Sequence, residues 1–375
     1  MRECVVMDLK REERKYHHLE HALREQTGPK PAGWSDVELV HQALIKGNAD
    51  SIDTTIKLFG KTINFPLIIN AMTGGAPGLE RINEALARVA KETGIALAVG
   101  SQTAAVYNPG VRHTYEVVRK VYPEGLILAN VGALVKPEYA KEAVEMIEAD
   151  ALQLHLNVVQ ELLMVEGDRD FASLYENVVK IKEAVKVPVI LKEVGFGISR
   201  ETAQELYQLG FTVLDLGGAG GTNFAAIELA RNPQEHLDYL RCWGLPTAIS
   251  LLEVNSLDLP FTVIASGGIY NALDIIKALA LGAKAAGMAG VLLKIYDRYG
   301  EKALLDFLNS MQKEIQYLML LTGAGKMEDI ASIPVVITGY TQNWLTQRGI
   351  DTKKYAQRTT LGNDNFRGLN NKPKI

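Results

Sequence analysis

From about Phe65 onward, short apolar runs of β type alternate with segments whose apolar residues recur at helical spacing, and this alternation constrains the fold more than any other feature. Eight such runs stand out: Leu67–Asn70, Leu97–Val99, Leu126–Asn130, Ala151–Leu156, Val189–Lys192, Val213–Leu216, Thr262–Ala265 and Ala285–Met288. Between them the period shifts to that of a helix, as at Leu79, Ile82, Leu86 and Val89, or Ala272, Ile275, Ile276 and Leu279. Repeated strand–helix units build a parallel sheet covered by helices, and eight units favour a closed (β/α)8 TIM barrel of the α/β class over an open sheet. Ser199 is placed to cap the helix carrying Ala203, Leu206 and Leu209, and Gly210 to end it.

This organisation makes the chain one barrel domain spanning 1–375. An N-terminal helical or hairpin extension covers 1–64, the barrel 65–321 and a C-terminal extension 322–375. Longer connections are expected at about 157–173, 217–245 and 322–345, and the Asn-, Gly- and Lys-containing tail from Gly362 reads as mobile.

Forty basic against 44 acidic side chains leave a net charge of −4, without the basic excess that neutralising nucleic-acid phosphates requires. Cys4 and Cys242 have no metal-binding spacing and fit a reducing cytoplasm. Residues 8–25 carry five positive and five negative side chains, unlike a signal peptide or a polybasic anchor. The longest apolar stretch, near Ala285–Leu293, is far below the ~20 residues of a membrane span, so a cytoplasmic protein without membrane contact is expected.

In a barrel of this class the chemistry lies at the C-terminal ends of the strands. In the fourth run the period of two places Leu152, Leu154 and Leu156 on one face and Gln153, His155 and Asn157 on the other, followed at once by Gln160 and Glu161. A single histidine on a strand is commonly a hydrogen-bonded core residue, but several polar groups at one strand end point to a site. Lys192 shares a face with Pro188 and Ile190, so it is an inward cation that needs a partner. A neighbouring carboxylate and an anionic ligand are equally good partners at this stage.

Glycine-rich turns follow three of the last four runs: Gly217-Gly218-Ala219-Gly220-Gly221-Thr222, Ser266-Gly267-Gly268 and Met288-Ala289-Gly290. Most Gly-Gly pairs are simply turns. Turns after the seventh and eighth strands together, each opening a helix, are a recurrent phosphate site in such barrels. Asn70, Ala71, Met72 and Thr73 at the first strand end, Ser101 and Gln102 at the second and Asn130 at the third add polar groups suited to the heteroatom-rich edge of a flavin. Arg14, Lys15 and His18 would share one face of a helix; a solvated basic face is the ordinary reading, and closure over a diphosphate the functional one.

With these segments assembled, the chain resembles the type 2, flavin-dependent isopentenyl-diphosphate isomerases. The resemblance runs in order through Arg14-Lys15-Tyr16-His17-His18, Asn70-Ala71-Met72-Thr73-Gly74-Gly75, Gly100-Ser101-Gln102, His155-Leu156-Asn157-Val158-Val159-Gln160-Glu161, Leu191-Lys192-Glu193-Val194-Gly195-Phe196-Gly197, Gly220-Gly221-Thr222-Asn223-Phe224, Ala265-Ser266-Gly267-Gly268 and Met288-Ala289-Gly290. It implies an FMN-bound, homo-oligomeric barrel, a tetramer or octamer, that interconverts isopentenyl and dimethylallyl diphosphate with Mg²⁺, the flavin being reduced by NADPH.

By position, the resemblance assigns FMN to Ala71, Met72, Thr73, Ser101, Asn130, Lys192, Thr222, Gly267, Gly268, Ala289 and Gly290. It assigns the substrate to Arg14, Lys15, His18, Ser101, Gln102, His155, Asn157 and Gln160, and Mg²⁺ to Glu161. Gln160, Glu161, His155 and Lys192 form the implied catalytic group, with proton transfer left mainly to the reduced flavin. Thr103 and Tyr270 depart from the family pattern, which often has Arg at both places.

Two other readings compete. An FMN barrel oxidoreductase of the α-hydroxy-acid oxidase or inosine-monophosphate-dehydrogenase type needs a catalytic His with Arg, or a loop Cys. Here His236 lies in a charged stretch and Cys242 beside Trp243 lacks a neighbouring base. A non-catalytic flavin-binding barrel would keep the glycine turns but has no need of Asn157, Gln160 and Glu161 in one loop.

Overall fold

The computed structural model describes residues 15–17, 19–24, 28–45 and 47–359. Arg14, His18 and the tail from Gly362 lie outside the described residues. The chain begins, within the described part, with helical residues at 15–17 and 19–24. Then come β1 (Val37–Leu39) and a hairpin of β2 (Ile56–Leu58) and β3 (Lys61–Ile63). The repeat follows as β4 (Leu67–Ile69), β5 (Ala96–Ala98), β6 (Ile127–Gly132), β7 (Ala151–Leu156), β8 (Val189–Glu193), β9 (Val213–Asp215), β10 (Thr262–Ser266) and β11 (Ala285–Met288). These strands close into a parallel barrel in which β11 pairs with β4, Ala286 opposite Leu67. All eight apolar runs of the sequence are barrel strands.

Helices cover the outside, among them Glu80–Thr93, Arg200–Gln208, Ala272–Ala280 and Gly290–Leu321, the last broken at Gly300. Ser199 caps Arg200–Gln208 by accepting from the Thr202 N–H, and Gly210 follows with φ +81°, as its sequence position requires. The outward strand residues, such as Leu152, Leu154, Leu191 and Leu214, join the large core beneath the helices.

The inward residues near the N-terminal strand ends form a second core: Ile68, Ala96, Ala98, Leu126, Leu128, Ala151, Ile190, Ile264 and Ala285. Ile56, Leu58 and Ile63 from the β2–β3 hairpin belong to the same cluster and plug that end of the barrel. Region 322–345, expected as a connection, instead contains β12 (Val335–Ile337), which pairs antiparallel with β1, and the helix Gly339–Gln347. The partners lie about three hundred residues apart in sequence, so neither short strand signals the other. Among the described residues no helix is long and apolar enough to cross a membrane.

Candidate active site

Two residues further along the same strands, the inward positions become polar. Ile68 is followed by Asn70, Ala151 by Gln153 and His155, Ile190 by Lys192, Val213 by Asp215 and Ile264 by Ser266. Asp215 is wholly buried and gathers this layer. It accepts from Lys192 Nζ (2.9 Å), Asn70 Nδ2 (2.8 Å), Gln153 Nε2 (3.2 Å) and, through its other oxygen, the Ser266 hydroxyl. A buried carboxylate is tolerable only with such a donor set. Gln153 Nε2 also donates to Asn70 Oδ1 (2.8 Å), Asn130 Nδ2 to Gln153 Oε1 (3.0 Å), and His155 Nδ1 lies 2.9 Å from Asn130 Oδ1.

Lys192 therefore has the carboxylate partner that the first of its two readings required, with Ser266 Oγ a further 3.3 Å contact. The sequence reading missed Asp215 because Val213–Leu216 reads as one apolar run; its parity with the inward Val213 was the available signal. Glu193, one residue on, faces the other way and accepts from the N–H groups of Phe196 (2.5 Å) and Gly197 (3.2 Å). Burial pushes its carboxyl up to about 8, against the lowering influence of those donors and of Lys192.

After β7 the helix Val158–Leu163 starts at Asn157. Asn157 Nδ2 donates to Glu161 Oε1 (2.8 Å), and Glu161 Oε2 accepts from the Asp168 N–H (3.0 Å), so these two residues form one unit. Gln160 turns inward and donates from Nε2 to Glu228 (2.9 Å), a buried carboxylate ion-paired with Arg231. Glu228 was also missed; its signal was a lone carboxylate among the apolar residues of Phe224–Arg231. Among the described residues no group of three or more His, Cys, Asp or Glu side chains converges as a metal site. Glu161 alone fits a Mg²⁺ ion only when phosphate oxygens and water complete its shell.

The three glycine turns lie against one another. A Cβ on Gly221 would stand 2.7 Å from the Gly268 nitrogen, one on Gly267 would strike the Gly218 carbonyl, and one on Gly290 would meet the Thr222 hydroxyl at 3.0 Å. Gly267 and Gly268 also need positive φ (99° and 68°). The helices Ala272–Ala280 and Gly290–Leu321 start directly after the β10 and β11 turns, the first capped by Asn271 and the second starting from Ala289. Closely approaching backbones and a hydroxyl are donor types that an FMN phosphate accepts from. The residues present fit the cofactor.

Other assigned residues are placed as follows. Lys15 Nζ donates to the Ser101 carbonyl (2.9 Å), so the N-terminal segment reaches its own barrel mouth. Arg14 and His18 cannot be placed, being outside the described residues. Gln102 is fully buried, donates from Nε2 to the Ala143 carbonyl (2.8 Å) and accepts the Asn130 N–H (3.0 Å). Its amide is engaged by backbone on the outer side, so the side chain braces the loop. The Thr73 hydroxyl donates to Asn83 Oδ1 (2.6 Å) beside Ala71 and Met72. Thr103 pairs its hydroxyl with that of Ser101 (3.1 Å), and Tyr270 donates to the Gly220 carbonyl (2.7 Å). His236 and Cys242 are exposed, away from any catalytic grouping.

Comparison with known proteins agrees with this geometry. The sequence profile of the FMN-dependent dehydrogenase family matches residues 110–336, more than half of the chain. An isopentenyl-diphosphate delta-isomerase of Bacillus pumilus is 49% identical over 351 residues, covering 93% of this chain and 98% of that protein. One from Moorella thermoacetica is 51% identical over 335 residues, covering 89% and 96%. A mandelate oxidase structure with (S)-2-phenylpropionate superposes with a TM-score of 0.61 at 16% identity, over 85% of this chain and 94% of that one, a likeness of fold alone. The chain thus belongs to the isopentenyl-diphosphate delta-isomerase family, on the barrel of the FMN-dependent dehydrogenases.

Proposed function

We propose that the protein is an FMN-dependent isopentenyl-diphosphate delta-isomerase that interconverts isopentenyl and dimethylallyl diphosphate for isoprenoid biosynthesis, with Mg²⁺ as metal and NADPH as reductant of the flavin. The observation that carries this reading is the adjacency, at one strand end, of a phosphate-type glycine corner and a buried polar floor, in a chain about half identical to named isomerases. The rest of the proposal is a single barrel domain, working in the cytoplasm as a homo-oligomer, a tetramer or octamer.

Moving the double bond adds a proton at C4 and removes one at C2, with no net redox change. An isolated alkene has no carbonyl to stabilise a carbanion, so protonation toward a tertiary cation is the accessible route. Bound in reduced form, FMN would supply an electron-rich ring and a proton-exchanging nitrogen at the reacting carbons. Thr222, Gly267, Gly268, Ala289 and Gly290 would hold its phosphate, and Ala71, Met72, Thr73, Ser101, Asn130 and Lys192 would border its ring.

Lys192 places a positive charge beside the flavin, held in position by Asp215. Glu161, steadied by Asn157, would hold Mg²⁺ for the diphosphate, and His155, Lys15, Arg14 and His18 would supply donors to it. Gln160, fixed by Glu228, closes the alkene end of the pocket. Binding energy from the diphosphate orients the small hydrocarbon.

The test is spectroscopic and kinetic together. The purified protein should show oxidised-flavin absorption that bleaches with NADPH, and isomerisation should appear only after bleaching. Equal turnover by oxidised and reduced enzyme would overturn the mechanism. Turnover of a 2-hydroxy acid without isomerisation would favour the oxidoreductase reading instead.

A further inference from the structure

We propose that Asp215 sets the direction of the amide hydrogen bonds across the mouth floor and thereby fixes the tautomer of His155, two strands away, with the proton on Nδ1. The argument is one of donors and acceptors. An ionised carboxylate only accepts. Asn70 and Gln153 must both turn their NH₂ groups toward Asp215, at 2.8 Å and 3.2 Å. Asn70 Oδ1 then points back and receives Gln153 Nε2 and the Ala71 N–H (2.9 Å). With its NH₂ so committed, Gln153 has only Oε1 for Asn130, which meets it with Nδ2 at 3.0 Å. Asn130 is left with Oδ1 for the imidazole, and the 2.9 Å contact to His155 Nδ1 is a bond only if that nitrogen carries the proton.

Reversing any one amide would set two NH₂ groups or two oxygens face to face in a buried layer, where unmatched polar groups are costly. Lys192 at 2.9 Å anchors the accepting end of the chain. At the far end Gly132, the inward residue on which β6 finishes, leaves room beside the ring: a Cβ there would lie 3.2 Å from His155 Nε2. Asp215 is thus a positioning residue, acting on the substrate's side through three amides. In this tautomer Nε2 is an acceptor; donating to a diphosphate oxygen, which only accepts, requires a second proton on Nε2, as imidazolium, while Nδ1–H stays on Asn130. Only the identity of that ligand rests on the isomerase reading; the tautomer does not.

The experiment is nitrogen NMR on FMN-loaded protein labelled with imidazole-¹⁵N histidine, the His155 signals being those that vanish in His155→Gln. In the wild type the neutral ring should be in the Nδ1–H form. In Asp215→Asn the terminal group can both donate and accept, and Gln153→Met cuts the chain while keeping the Lys192–Asp215 pair. Both should move the two ring-nitrogen signals toward each other as the tautomers mix, and adding Asn130→Asp to Asp215→Asn should restore the Nδ1–H form. An Nε2–H ring in the wild type, or an unchanged Nδ1–H ring in Gln153→Met, would overturn the proposal. If Asp215→Asn does not fold, Gln153→Met alone decides. Failure of wild-type protein to hold FMN would instead count against the isomerase reading.

Discussion

Two residues separate Ile190 from Lys192 on β8, and the same step separates two kinds of barrel interior. Toward the N-terminal strand ends the inward layers are Ile, Leu and Ala, sealed by Ile56, Leu58 and Ile63 of the hairpin. Toward the C-terminal ends they are Asn70, Gln153, Lys192, Asp215 and Ser266, equally buried but joined by directed bonds. Apolar contacts have no direction, so the lower layers depend on volume. The upper layer depends on which atom donates. Changes that conserve shape should therefore be mild below and severe above, while small losses of volume should show the reverse sensitivity.

The largest expected effect is that of Asp215→Asn, which keeps shape and removes charge. It leaves the Lys192 ammonium buried beside a neutral amide and should cost roughly 3–5 kcal/mol of stability, as breaking a buried pair does. Denaturant midpoints would measure it. A loss under 1 kcal/mol would break the contrast, because the upper layer would then tolerate charge removal as well as any apolar neighbour.

At the rim, Glu161→Gln tests whether charge matters where burial is incomplete. The amide still fills the space next to Asn157 but binds a hard cation far less well. The Mg²⁺ concentration for half-maximal isomerisation should rise about tenfold or more, equivalent to ~1.4 kcal/mol, with little change in unfolding. Unchanged metal dependence would remove Glu161 from the metal site. Below the floor, Ile190→Val takes one methylene from the lower layer and should cost about 0.5–1.5 kcal/mol in the same denaturation assay. The flavin spectrum should be unaltered; a displaced flavin band would mean that the two layers are not independent.

The barrel was legible because strands of a parallel sheet are covered on both faces and so appear as compact apolar runs. The β7 part of the site was legible for a related reason: leucines alternate with Gln153 and His155, and the period of two gives the facing directly. Asp215 escaped because β9 carries a single polar residue among Val213, Leu214 and Leu216. Gln102 follows the end of β5, where strand parity no longer tells which way a side chain turns. The pairing of β1 with β12 joins two three-residue strands from opposite ends of the described chain, and no local pattern carries that information. Local periodicity therefore reports facing, while partners across the barrel come only from closure.

The smallest effect concerns the glycine corner, where backbone rather than side chains lines the site. Tyr270, where the family resemblance leads one to expect Arg, bonds the Gly220 carbonyl at 2.7 Å, tying the β10 turn to the β9 turn. In place of a charge directed at the phosphate, the chain has a clip that holds the two turns together. Tyr270→Phe removes one partly exposed hydrogen bond, worth about 0.5–1.5 kcal/mol, so the flavin-free protein should lose up to that much stability, and FMN affinity should fall by at most roughly two- to tenfold as the turns loosen. Titrating FMN into flavin-free wild type and variant measures this. Equal affinity would show that the turns are held by their own glycine packing, which would extend to the upper rim the tolerance expected only of the apolar layers below.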